Sequence, residues 1–155
     1  MLKILGGENL TRGAELARAV MSVLGQRTNL YVELSFVNKE EIKQINAQMR
    51  GVDAVTDVLS FPMLADIRGK KIYKKDFPLD YNIDEKAIFL GSTVICMDKV
   101  YEQAKEFGHS KEREIYYLLA HSLLHLFDYD HETEEDKRQM RDLEEKIMDK
   151  LGIQK

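Results

Sequence analysis

At 155 residues, 44% of them hydrophobic and 32% charged, the chain has the size and composition of one folded domain, not of a disordered segment or a disulfide-stapled miniprotein. Its single cysteine, Cys96, rules out an internal disulfide and points to a reducing cytoplasm, and no apolar run is long enough to span a bilayer. The first residues, which include Glu8, Arg12, Glu15 and Arg18, do not read as a secretory leader. A net charge of −4 does not advertise nucleic-acid binding, so any such partner must be met by a local patch.

The chain opens with a short strand over residues 2–5, closed by Gly6 and Gly7. Ala14, Ala17, Val20, Met21 and Leu24 recur at helical spacing and predict a helix from Thr11 to Leu24, with Gly25 placed to cap it. Leu30, Val32, Leu34 and Phe36 then alternate with polar or aromatic neighbours, the period of a half-buried strand. Asn38 opens a second helix as N-cap, with Glu41 completing a capping box and Gly51 ending the helix. Arg50 falls in its last turn, where a cation is favourable near the helix C-terminus.

Thr56–Phe61 predicts a third strand stopped by Pro62, and Ala87–Cys96 a fourth, with Gly91 as a bulge or close approach. Between them, residues 63–86 show no clean period and read as a long loop or irregular hairpin. That loop carries a basic run, Arg68, Lys70, Lys71, Lys74 and Lys75, which fits either a solvated surface or a phosphate contact. A helix from Asp98 to Phe107 ends at Gly108, leaving His109 as a surface-loop histidine, and Ser110 caps the next helix. The last helix starts at Thr133, with a buried stripe of Met140, Leu143, Ile147 and Leu151 and its charged residues assigned to solvent. The expected fold is α+β, close to α/β: a small mixed four-stranded sheet packed with about five helices, all in one domain over residues 1–155. The first strands are expected to be parallel. The helix-less link from the third strand to the fourth implies one antiparallel neighbour.

Three of the four histidines lie within residues 121–131. His121 and His125 are one helical turn apart and share a face, whereas an unbroken helix would rotate His131 away from it. The helix must therefore end near Phe127, and the turn through Asp128, Tyr129 and Asp130 must carry His131 back. Asp tolerates the left-handed conformation such a turn uses. Three imidazoles and an open fourth position make the layout of a catalytic zinc site. The spacing is that of the metzincin metalloproteases, so the helix is metzincin-like. However, Ser122 stands where those enzymes carry their general-base Glu, and Asp128 where they carry Gly.

The run from His121 through Tyr129, Asp130 and His131 also resembles the signature of the YbeY endoribonucleases, the bacterial rRNA maturation factors. Their usual form is His-Gly-x-Leu-His-Leu-x-Gly-Tyr-Asp-His. The segment Thr56–Pro62, the pair Asn46 and Arg50 upstream of it, and Leu90-Gly91 ahead of an Ile-Cys strand are similar to further hallmarks of that family, in the same order. Ser92 departs from the acid that many members carry, as Ser122 and Asp128 depart from the usual glycines. The resemblance implies a zinc-dependent endoribonuclease selective for single-stranded RNA. Such an enzyme would mature the 3′ end of small-subunit rRNA, act in ribosome quality control and work beside the small ribosomal subunit. It further implies one zinc per chain held by His121, His125 and His131, and Arg50 as the functional arginine of the metal cleft. Asp128 and Asp130 are left as proton-transfer groups or as acceptors that orient a histidine ligand. Two other readings stay open: a metallopeptidase, and a non-enzymatic ribosome assembly factor whose zinc is structural, with His109 or Asp130 closing the fourth position.

Overall fold

The computed structural model describes residues 1–153. Its elements follow the order β1 (Leu2–Leu5), α1 (Gly13–Val23), β2 (Leu30–Val37), α2 (Lys39–Arg50), β3 (Val58–Pro62), β4 (Tyr81–Asn82), β5 (Ala87–Cys96), α3 (Met97–Phe107), α4 (Lys111–Leu126) and α5 (Glu134–Leu151), with two short 3-10 turns ahead of β4. The sheet has five strands, not four, because Tyr81 and Asn82 form a brief hairpin arm against Ile88 and Ala87. A two-residue strand has no period to read, which is why it was invisible in the sequence.

β1, β2 and β5 run parallel, and β3 and β4 both pair antiparallel with the far edge of β5. The expected antiparallel neighbour is therefore β3. It sits beside β5 and not beside β2, so β5 inserts between two strands that are consecutive in the chain. Pro62, taken as the residue that stops β3, is its last member, at an edge where its missing N–H is tolerated.

Leu30, Val32, Ile88, Leu90 and Ile95 face a core built with α1, α4 and α5, including Leu16, Val20, Leu119, Leu123 and Ile147. A smaller core of Ile42, Leu59, Val94 and Cys96 lies on the other face under α2. The register of β5 against β2 shifts between Tyr31 and Val32, which pair with Phe89 and Gly91. Gly91 has φ +146°, and a Cβ there would lie 2.4 Å from the Phe61 carbonyl oxygen and 2.9 Å from Leu126 Cδ2. The bulge thus seats the C-terminal half of α4 directly on the sheet backbone.

The loop over residues 63–86 is the expected irregular hairpin, and it is anchored to the core. Leu64, Ile67 and Ile72 are buried, and the Gln26 side chain donates to the Lys70 carbonyl at 2.7 Å and accepts from the Ile72 amide at 3.0 Å. No helix among the described residues is long and apolar enough to cross a membrane.

Candidate metal centre on helix α4

Ser110 caps α4 by accepting from the Arg113 amide at 3.1 Å, and the helix closes at Leu126. Asp128 then takes φ +76°, while the Asp128 and Tyr129 amides donate back to the His125 and Leu124 carbonyls. This left-handed turn reverses the chain and returns His131 to the face of His121 and His125. The ligating atoms of the three histidines lie within 4.8 Å of one another. The Nε2 atoms of His121 and His125 are 3.1 Å apart. Two Zn–N bonds of about 2.0–2.1 Å at a tetrahedral angle would place two nitrogens roughly 3.3 Å apart, so this donor set fits such an ion.

Both helical imidazoles are anchored through Nδ1. His121 Nδ1 is 3.1 Å from Glu144 Oε2 on α5, and His125 Nδ1 is 2.8 Å from the Tyr129 carbonyl oxygen. Each anchor accepts a hydrogen bond from Nδ1–H, which fixes the tautomer that presents an Nε2 lone pair to the centre. Burial, followed by the neighbouring His121, lowers the pKa of His125 below the usual histidine range and favours the neutral ring a metal requires. The His121 ring lies between Tyr117 and His131, at centroid distances of 6.4 and 5.8 Å and interplanar angles of 24° and 18°.

Glu144 was missed in the sequence, where the charged residues of α5 were assigned to solvent. Its signal was its position: it lies four residues after Met140 and three before Ile147, inside the apolar stripe, and it is only 7% exposed. Asp128 and Asp130 do not orient His121 or His125, whose Nδ1 partners are Glu144 and the Tyr129 carbonyl. Instead, Arg68 gathers the turn. Its Nε donates to the Asp128 carbonyl at 2.7 Å, Nη2 to Asp130 at 2.6 Å and Nη1 to Asp136 at 2.9 Å. Arg68 is thereby removed from the basic run. Lys70, Lys71, Lys74 and Lys75 remain exposed, with the Lys74 ammonium 4.0 Å from the centroid of the Tyr81 ring and that of Lys75 5.7 Å from the Tyr73 centroid.

His109 is also corrected. It is not a free surface residue: Nε2 lies 2.5 Å from buried Glu114, Nδ1 lies 2.6 Å from Arg113 Nη1, and its side chain is 14% exposed. Ser122 is fully buried, with its hydroxyl 2.7 Å from both Ser60 on β3 and Thr93 on β5. That bridge explains how a side chain is accommodated on this face of α4, and it turns Ser122 toward the sheet. Arg50 sits exposed in the last turn of α2, where its Nη1 donates to Asn46 Oδ1 at 3.4 Å; it bonds to no group of the histidine cluster.

The family model described as Endoribonuclease YbeY matches residues 8–152. A protein of that name from Caldanaerobacter subterraneus is 43% identical over 146 residues, covering 92% of this chain and 89% of its own. Another from Clostridioides difficile is 44% identical over 129 residues, covering 83% of this chain and 76% of its own. The solution structure of a Thermotoga maritima protein superposes with a TM-score of 0.58 at 27% identity, covering 98% of this chain and 92% of the other.

Proposed function

The chain belongs to the family of YbeY endoribonucleases, and from that premise we propose that it is a single-domain, zinc-dependent endoribonuclease that cleaves single-stranded RNA. The observation that carries this reading is the convergence of three imidazoles whose ligating atoms lie within 4.8 Å of one another. His121, His125 and His131 would hold one zinc ion. When bound, that ion supplies Lewis acidity at a phosphate oxygen and acidifies water. Glu144 and the Tyr129 carbonyl hold the two helical rings in the metal-binding tautomer. Arg50 is assigned to the scissile phosphate, since a guanidinium can take two phosphate oxygens at once and stabilise the charge that builds during cleavage. The natural substrate on this reading is the 3′ end of small-subunit rRNA, met at the ribosome in the cytoplasm.

The two rival readings lose support at specific atoms. A peptidase of this spacing needs a carboxylate beside its first ligand, and Ser122 occupies that place with its hydroxyl tied to Ser60 and Thr93. A structural zinc needs a fourth protein ligand, but His109 is held by Glu114 and Arg113, and Asp130 is held by Arg68.

The test is cleavage of a labelled single-stranded RNA by purified protein, with a His125→Ala variant prepared identically. Cleavage that vanishes in the variant and on chelation, and returns with zinc, is the expected result. A folded, zinc-loaded sample that leaves the RNA intact would refute the reading.

A further inference from the structure

Arg113, Tyr117, His121 and His125 recur every four residues along α4. They form one stripe on the helix, rising about 6 Å per step at 1.5 Å per residue. The two metal ligands occupy its C-terminal half. Beside its N-terminal half lie two cavities of about 500 and 390 Å³ that share Arg113 and Tyr117 as lining residues. The larger runs between α4 and α5, where Arg141, Glu145 and Asp149 form the opposite wall.

Three features of this groove are open to a ligand. Tyr117 is 37% exposed, with the His121 imidazole stacked against its ring. Arg113 is gripped from one side, at His109, while its Nε is buried without an acceptor. Neither Arg113 nor Arg141 joins any ion pair among the described residues; Arg12, Arg68 and Arg138 are paired with carboxylates, and Arg18, Arg27 and Arg50, which lie outside this groove, are not. An aromatic face, two guanidiniums outside any ion pair and a rim of carboxylates are together the groups that recognise a nucleotide. The ring stacks on a base, the cations take phosphate oxygens, and Glu145 and Asp149 accept from exocyclic amino groups. A purely anionic ligand would be repelled by the carboxylates, and an apolar one would leave the guanidiniums desolvated and unpaired.

We propose that the α4–α5 groove is a single-stranded RNA subsite. In it Tyr117 stacks a base next to the scissile phosphate, and Arg113 and Arg141 hold the flanking backbone. This rests on the endoribonuclease reading above and adds to it the direction in which the RNA leaves the metal centre: along α4 toward its N-terminus. The subsite requires an unpaired strand, because Tyr117 can stack only on a base that is free of its duplex neighbours.

The test measures binding of a labelled, cleavage-resistant single-stranded oligonucleotide (2′-O-methyl, phosphorothioate) by the full chain, alongside KM and kcat on an ordinary RNA. Arg141→Ala is compared with Arg138→Ala, an exposed arginine on the same helix already paired with Glu135. Arg141→Ala should weaken binding severalfold, flatten the salt dependence by about 0.7 in the logarithmic slope and raise KM with kcat retained, while Arg138→Ala stays within about twofold. Tyr117→Ala should weaken binding roughly 5- to 100-fold, and Tyr117→Phe should restore it. Equal binding by the Arg141→Ala, Arg138→Ala and wild-type proteins, together with undiminished binding by a folded Tyr117→Ala, would overturn the proposal. Binding is read without turnover, so persistent cleavage by His125→Ala would sink the metal reading alone.

Discussion

Glu144 Oε2 meets His121 Nδ1 at 3.1 Å, joining two helices through residues 23 positions apart in the chain. The carboxylate is 7% exposed, and the pKa of the nearby Tyr117 phenol is pushed up to about 12, first by burial and then by Glu144 itself. A buried anion with no lysine or arginine partner among the described residues is unfavourable on its own. Beside an imidazole committed to a cation it becomes the group that completes the charge balance.

Removing that anchor should therefore show first in metal affinity. We expect Glu144→Ala to weaken zinc binding about 10- to 100-fold in competition with a chromophoric chelator. Glu144→Gln keeps an acceptor oxygen and should lose less. Unchanged affinity in a folded Glu144→Ala protein would mean that His121 needs no such support.

Ser122 supplies a second test, in stability. Its hydroxyl serves both Ser60 and Thr93 inside the α4–sheet interface, so Ser122→Ala leaves the buried Thr93 hydroxyl and the half-buried Ser60 hydroxyl short of a partner. The expected loss is about 1–3 kcal/mol in urea unfolding, with the histidine cluster intact. Ser122→Glu, which would recreate the peptidase motif, places a carboxylate at a position with no solvent access. It should fail to fold rather than gain peptidase activity. A soluble Ser122→Glu protein that hydrolyses peptides would contradict the packing described above.

How much of this was legible beforehand depends on whether a residue's role is local. The capping box at Asn38, the start of the last helix at Thr133, the Ser110 cap and the bulge at Gly91 are decided within a few residues, and each is where its neighbours in sequence imply. So is the helix end after Leu126, because the spacing of His125 and His131 demands it. The position of β5 between β2 and β3 is a long-range choice, and no period within either strand encodes it. The same holds for side chains. Arg68 looks like its lysine neighbours until α5 brings Asp136 to it from 68 residues away. His109 looks like a loop histidine until Glu114, one helical turn into α4, is found buried against it. Glu144 alone carried a local warning, a charge inside an apolar stripe.

Asp128 separates a backbone role from a chemical one. It holds φ +76°, a conformation that costs a non-glycine residue roughly 1–2 kcal/mol, and its carbonyl is what Arg68 binds. Asp128→Gly should keep the turn and stabilise the protein by up to about 1 kcal/mol, and it should retain RNA cleavage. A cleavage loss of a hundredfold or more in that variant, with zinc still bound, would instead make the Asp128 carboxylate a proton-transfer group.

Arg50 is the sharpest test of the assigned chemistry, because the fold does not depend on it. Its guanidinium is exposed and its hydrogen bond, to Asn46 at 3.4 Å, is long, so Arg50→Ala should leave thermal stability and zinc content unchanged. If Arg50 takes the scissile phosphate and stabilises the charge that develops there, kcat should fall about 100- to 1000-fold while KM moves much less. Arg50→Lys keeps the charge but not the paired donors, and should recover only part of the loss. A lysine variant as active as wild type would reduce the role to simple charge. An alanine variant with full activity would remove Arg50 from the site and leave Arg113 and Arg141 as the cations that face the substrate.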